Sequence, residues 1–274
     1  MFLGSWGNGW RARWRLGVGV LTAATVLVGC SGEIYRAPPG DASAGTSSAS
    51  SGGKRFGSVE ELAAAIAQRR LTDRTGRFSV SGAATGRGEF VYEPAGVAMK
   101  FTVNAGELRL ESILLPAVTY LTVPNAIVPD RPWIKIDTRT APSNPQLALV
   151  ALQARLLQDS VDPATVLAGR AVATEIVDAE NVTLNSTAAV KYTIRTDRVK
   201  FAQTIADPNA RNAFEEETKV VGNSQEVQLW LARDNKLLQG AALLQGQQSV
   251  IRFSDWGQPV RIVAPPDSQV MQFG

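Results

Sequence analysis

Near the start of the chain, Arg11-Ala-Arg-Trp-Arg15 is followed by an apolar run from Leu16 to Val28 and then by Gly29-Cys30. Three cations, thirteen mostly apolar residues and a small residue before a cysteine are the parts of an export signal with its cleavage site. Thirteen helical residues reach roughly 20 Å, against about 30 Å of hydrocarbon, so the run is too short to span a bilayer. Cys30 is also the only cysteine among 274 residues, and the chain has no histidine. No disulfide can close within it, and neither a cysteine cluster nor a histidine set is available to hold zinc. Whatever lies beyond Cys30 must therefore fold by burying apolar surface alone.

Leu27-Val28-Gly29-Cys30 has the form of a lipobox and resembles the corresponding stretch of bacterial lipoprotein precursors. The resemblance implies that residues 1–29 are a signal peptide and that Cys30 is acylated after cleavage. The rest would then be extracytoplasmic, anchored through lipid to the outer face of the cell membrane. More than one acyl chain suffices for stable anchoring, whereas a single chain is marginal. Cleavage also changes the charge. The full chain has 28 basic and 25 acidic residues, and removing Arg11, Arg13 and Arg15 leaves 25 of each. No positive surplus remains to attract a phosphate backbone, so nucleic acid is not an expected partner.

Ala37 to Gly53 is rich in Ser, Gly, Ala and Pro, with one charge and no bulky apolar residue. Such a segment cannot bury enough surface to offset its ordering entropy, so residues 30–55 are expected to be a flexible tether. Seventeen residues of this kind span roughly 20–25 Å root-mean-square. Residues 56–274 are then expected to form one domain, large enough to bury a core without staples.

That domain opens on Ser58-Val-Glu-Glu61, a capping box, and Val59, Leu62, Ala63 and Ile66 fall on one helical face ending near Arg69-Arg70. The period then changes. Val97, Met99, Phe101 and Val103 alternate with Ala98, Lys100, Thr102 and Asn104, as in a half-buried strand. Further strands are expected at Phe78–Val80, Phe90–Tyr92, Leu108–Leu110, Val118–Val123 and Trp133–Ile136, with Gly82, Gly86, Gly88, Pro94-Ala-Gly96 and Asn104-Ala-Gly106 as turns. Asn144-Pro145 and Asp162-Pro163 each place proline at a first helical position. Between them Leu147 to Leu157 is apolar around most of its circumference and so needs cover on several sides. Gly169 marks the end of the second helix, and Asp207-Pro208 starts another through Phe214 and Glu217. The closing strands are expected at Val190–Ile194, Val227–Leu231, Val250–Phe253 and Val260–Val263, with Asp255-Trp-Gly257 as a turn. Helices grouped apart from a predominantly antiparallel sheet make an α+β protein.

No nucleotide-binding loop and no G-x-S-x-G elbow is present. Without histidine, Ser-His-Asp and Cys-His catalysis are excluded. Glu60-Glu61, Glu175/Asp178/Glu180 and Glu215-Glu-Glu217 read as solvated helix or strand-edge charges, so no enzyme, cofactor or metal is expected.

Val250-Ile-Arg-Phe-Ser-Asp-Trp-Gly-Gln-Pro-Val-Arg-Ile-Val-Ala-Pro-Pro266 carries a closer resemblance, together with Tyr192-Thr-Ile-Arg-Thr-Asp197 and Val227-Gln-Leu-Trp-Leu231. These stretches, the lipobox and the tether resemble actinobacterial lipoproteins of the LprG/LppX type. The resemblance implies a LolA-like fold: a strongly curved antiparallel sheet, or half-barrel, with helices against its concave side and an apolar cavity between. It also implies a role in binding acyl chains of lipids or lipoglycans and assisting their transport or placement. Because no nucleotide-binding loop is present, a passive carrier or the partner of a separate membrane transporter is expected. Met99, Phe101, Leu110, Val118, Leu149, Leu152 and Leu156 are the candidate lining. Periodicity does not separate a lined cavity from a filled core. The alternative is a non-catalytic scaffold lipoprotein that docks on a transporter, secretion system or sensor without a lipid ligand.

Overall fold

The computed structural model describes residues 55–82, 85–105, 108–122, 130–137, 158, 160–244 and 247–271. Among them, no helix is long and apolar enough to cross a membrane. The chain is α+β, as its pattern implies, and it divides into two compact units.

The first unit holds the described parts of Arg74–Asp162 and Ser254–Gly274. Six strands follow one another as an antiparallel meander: β1 (Thr75–Ser81), β2 (Thr85–Glu93), β3 (Gly96–Ala105), β4 (Leu108–Leu115), β5 (Val118–Thr122) and β6 (Trp133–Asp137). Pro94-Ala95 turns β2 into β3, and Gly96 takes the φ of 135° that a side chain would resist. The expected turn residues Gly86 and Gly88 lie instead inside β2, where the missing side chains make room for neighbours. A last short strand, β12 (Val270–Met271), pairs parallel with β6 and makes this otherwise antiparallel sheet mixed.

Val260–Val263, expected as a strand, lies outside the ladder. Pro259 at one end and Pro265-Pro266 at the other lack the amides that pairing needs. Its alternation serves contact instead: Ile262 packs on the cluster of Ile113, Tyr120, Trp133 and Val270.

The second unit holds the described parts of Gly29–Asp73 and Pro163–Phe253. Helix α1 (Val59–Thr72) starts where the capping box predicts: the Glu61 amide donates to Ser58 Oγ at 3.2 Å. The Glu61 carboxylate reaches one residue further back than the usual box, accepting from the Gly57 amide at 3.2 Å. Val59, Leu62, Ala63 and Ile66 are its buried face. The helix is tied at both ends. The Phe56 amide donates to Tyr192 Oη at 3.2 Å, and Arg69 bridges Asp73 at 2.6 Å and Asp234 at 3.3 Å.

Helix α2 (Pro163–Arg170) begins at the expected proline and continues one residue past Gly169. Helices α3 (Arg198–Ala202) and α4 (Pro208–Val221) stack Phe201 edge-on to Phe214 at 5.4 Å, with the Arg198 guanidinium 4.5 Å over the Phe214 ring. The strands β7 (Thr174–Leu184), β8 (Thr187–Asp197), β9 (Ser224–Ala232), β10 (Leu237–Leu244) and β11 (Gln247–Ser254) pair antiparallel in sequence order. Two of these, β7 and β10, were not apparent from periodicity. A bulge between Ile176 and Asp178 breaks the alternation of β7, and Leu237-Leu-Gln-Gly-Ala-Ala-Leu-Leu244 has no alternation to read. Glu175, Asp178 and Glu180 lie on β7 as exposed charges, as their composition suggests.

Candidate functional site

In the first unit the register decides which side chains share a face. Phe90 pairs with Met99, Met99 with Leu114, Leu114 with Thr119, and Thr119 with Ile136. Directly paired residues project to the same side, and positions two apart follow them. One face therefore carries Phe78, Phe90, Tyr92, Val97, Met99, Phe101, Val103, Leu110, Ser112, Leu114, Thr119, Leu121, Ile134 and Ile136. Arg77, Arg87, Glu89, Lys100, Arg109, Glu111 and Lys135 all alternate to the other side. No paired position on the apolar face is charged. Its middle is fully buried, with Phe90, Met99, Leu114, Ser112 and Thr119 each at 0% exposure.

Aromatic rings fill one end of this face. Phe90 meets Tyr92 edge-on at 5.1 Å and Trp256 edge-on at 5.2 Å, and Phe78 lies 6.4 Å away. Glycine makes this approach possible. A Cβ at Gly88 would sit 2.5 Å from Phe78 Cζ and 2.6 Å from the Lys100 carbonyl, and one at Gly76 would sit 2.8 Å from Phe90 Cζ. Trp256 is placed by the expected turn, in which Asp255 has φ 51° and Gly257 φ 77°. The Gly257 amide donates to the Thr75 carbonyl at 2.9 Å, Thr75 Oγ1 donates to the Gln258 carbonyl at 2.7 Å, and Arg77 bridges Asp255 at 3.3 Å. The Asp-Trp-Gly motif thus holds a ring against the face, as a turn.

At the β3 entry, Gln158 Nε2 donates to the carbonyls of Val97 at 2.8 Å and Leu115 at 3.1 Å. Tyr92 Oη donates to the Val161 carbonyl at 2.7 Å. Gln158 and Val161 are therefore each tied to this end of the apolar face. Gln158 directly follows the Leu147–Leu157 run in sequence.

Of the candidate lining residues, Met99, Phe101 and Leu110 come together on the apolar face, at 0%, 4% and 8% exposure. Val118 does not join them. It pairs with Leu115 and packs on the Ile113–Tyr120–Trp133–Val270 cluster, which occupies the opposite side of the sheet. Leu149, Leu152 and Leu156 lie outside the described residues. Phe90, Leu114, Ser112 and Thr119 complete the face without having been nominated. Leu114 is two steps of two beyond Leu110, so strand period alone could have found it. Ser112 sits between them and interrupts the apolar signal.

Ser112 Oγ and Thr119 Oγ1 are the chemical exception on this face. Both are buried, and neither has a hydrogen-bond partner among the described residues. A buried hydroxyl without a partner costs about 1–3 kcal/mol, so two on one apolar face need an account.

No protein-family model and no curated protein matches the sequence. Among solved structures, the chain is similar to LprF from Mycobacterium bovis, with TM-score 0.45 and 11% identity over 76% of this chain and 96% of that one. It is similar to the Mycobacterium tuberculosis lipoprotein LppX, with TM-score 0.46 and 9% identity over 75% of this chain and 98% of that one. The chain resembles lipoproteins of the LprG/LppX type. The Pseudomonas aeruginosa MucA/MucB complex is a more distant likeness, with TM-score 0.34 and 14% identity over 78% of this chain and 61% of that one.

Proposed function

We propose that this chain is a non-catalytic envelope lipoprotein, anchored through Cys30 at the outer face of the cell membrane. Its apolar face takes acyl chains of a lipid or lipoglycan and assists their transport or placement. The observation that carries this reading is the segregation of charge in the first unit. Six successive strands send every charged paired side chain to one side and leave the other uncharged. The apolar run Leu147–Leu157 enters Gln158, which is held at the end of that face, so Leu149, Leu152 and Leu156 are proposed to cover it.

Burying a chain of about sixteen carbons is worth on the order of 12 kcal/mol. The membrane offers a lipid nearly the same, so a carrier needs only comparable affinity. The sequence has no nucleotide-binding loop, and the direction of transfer is proposed to come from a separate membrane transporter.

Native mass spectrometry of residues 31–274, followed by lipid extraction, tests the reading. Co-purified lipid, or saturable uptake of an acyl probe, is the expected result. Protein that carries no lipid and binds no probe would leave the scaffold alternative in its place.

A further inference from the structure

We infer that Ser112 and Thr119 form a polar subsite for the carbonyl oxygen of an acyl ester, so that the ligand is held in register by its ester and not by its hydrocarbon alone. This rests on the lipid-binding reading above and adds to it the chemical class of group that the face selects. Ser112 lies opposite Leu121, and Thr119 lies opposite Leu114, so the two hydroxyls are diagonal neighbours on adjacent strands of one face. Diagonal Cβ atoms are less than about 7–8 Å apart, so two hydroxyls can converge on one oxygen at ordinary hydrogen-bond distances. Both are buried and neither donates to a described residue. Their direct neighbours in the register are Phe101, Leu121, Leu114 and Ile136, all apolar, so the sheet supplies no acceptor of its own. A carboxylate or phosphate would call for a cation, and the paired positions of this face have none. Two neutral donors in an uncharged wall suit a neutral acceptor: an ester carbonyl, with hydrocarbon on both sides of it. A trapped water is the competing occupant.

Two probes of equal chain length separate these outcomes. Methyl palmitate and octadecane each compete for a bound fluorescent acyl probe on the wild-type protein and on the double variant Ser112→Ala/Thr119→Val. The expected result is a wild-type preference for the ester that falls by about tenfold in the variant, while octadecane affinity holds. Equal ester preference in both proteins would overturn the subsite and assign the hydroxyls to water. The exchange Ser112→Thr/Thr119→Ser keeps both donors and should keep the preference, so a loss there as well would also overturn it. If the double variant does not fold, infrared spectra of carbonyl-labelled methyl palmitate decide the matter. The wild type should lower the carbonyl stretch relative to the ester in hexane, and the single variant Ser112→Ala should lower it less. An unshifted band in the wild type would count against the subsite. If neither probe binds the wild type, the lipid-binding reading itself has failed, and the subsite with it.

Discussion

At Gly88 the missing side chain is a packing element. A methyl group there would collide with Phe78, Phe101 and the Lys100 carbonyl at 2.5–2.6 Å, and two of those neighbours are backbone or ring-root atoms that cannot swing away. Gly88→Ala should therefore destabilise the first unit by about 1–3 kcal/mol, read as a lower urea midpoint. Gly169→Ala is the counterpart. It lies inside α2 with nothing within 4 Å of its Cβ position, so alanine should stabilise by about 0.5–1 kcal/mol. Equal responses at the two sites would contradict the packing account. Tyr192 supplies a pH prediction. Burial raises its phenol above the ordinary value of 10.0, against smaller opposing effects of the Phe56 amide and Arg55. The folded state thus holds the proton more tightly than the unfolded state. Its contribution is complete below pH 10 and is lost as pH rises through the folded value. Tyr192→Phe should flatten the stability curve above pH 10, and an equally steep loss in the variant would assign it to other groups. Neither role was visible in the sequence, because a glycine's neighbours and a phenol's burial are properties of register and packing.

Elements were legible where a local rule dominates and illegible where pairing decides. The box at Ser58 closed because its atoms are within four residues of each other, and Ser58→Ala should cost about 1 kcal/mol of stability in the second unit, measured by thermal unfolding. The turn at Asp255–Gly257 was legible for the same reason. Val118 shows the limit. Alternation says that it and Tyr120 share a face, but not which face. The tight turn at Pro116-Ala117 pairs Leu115 with Val118, and that single offset sends Val118 to the side opposite Met99. Val118→Trp should consequently leave lipid loading unchanged. A clear fall in extracted lipid would return Val118 to the lining. Strand β7 was missed because its charges and its bulge hide a period that only the partner β8 makes regular.

For the whole molecule, the balance of charge and the lone cysteine act together. On the proposed cleavage before Cys30, 25 residues of each sign remain and give no net attraction for an anionic membrane, so the proposed acyl anchor would have to supply retention at the surface. Electrostatic adhesion and acylation respond differently to salt. At 1 M the Debye length is about 3 Å, which removes attraction between exposed charges but leaves a buried acyl chain where it is. Membranes from a host that processes lipoproteins should therefore retain the protein through a 1 M salt wash. An alkyne fatty acid fed to those cells should label the wild type and not Cys30→Ser. The mass of the wild-type protein should correspond to residues 30–274 plus acyl groups. A labelled Cys30→Ser chain would move the acylation elsewhere. A wild-type mass that still includes residues 1–29 would make the Leu16–Val28 run the anchor, with a tether of almost the same length, residues 29–55 in place of 30–55.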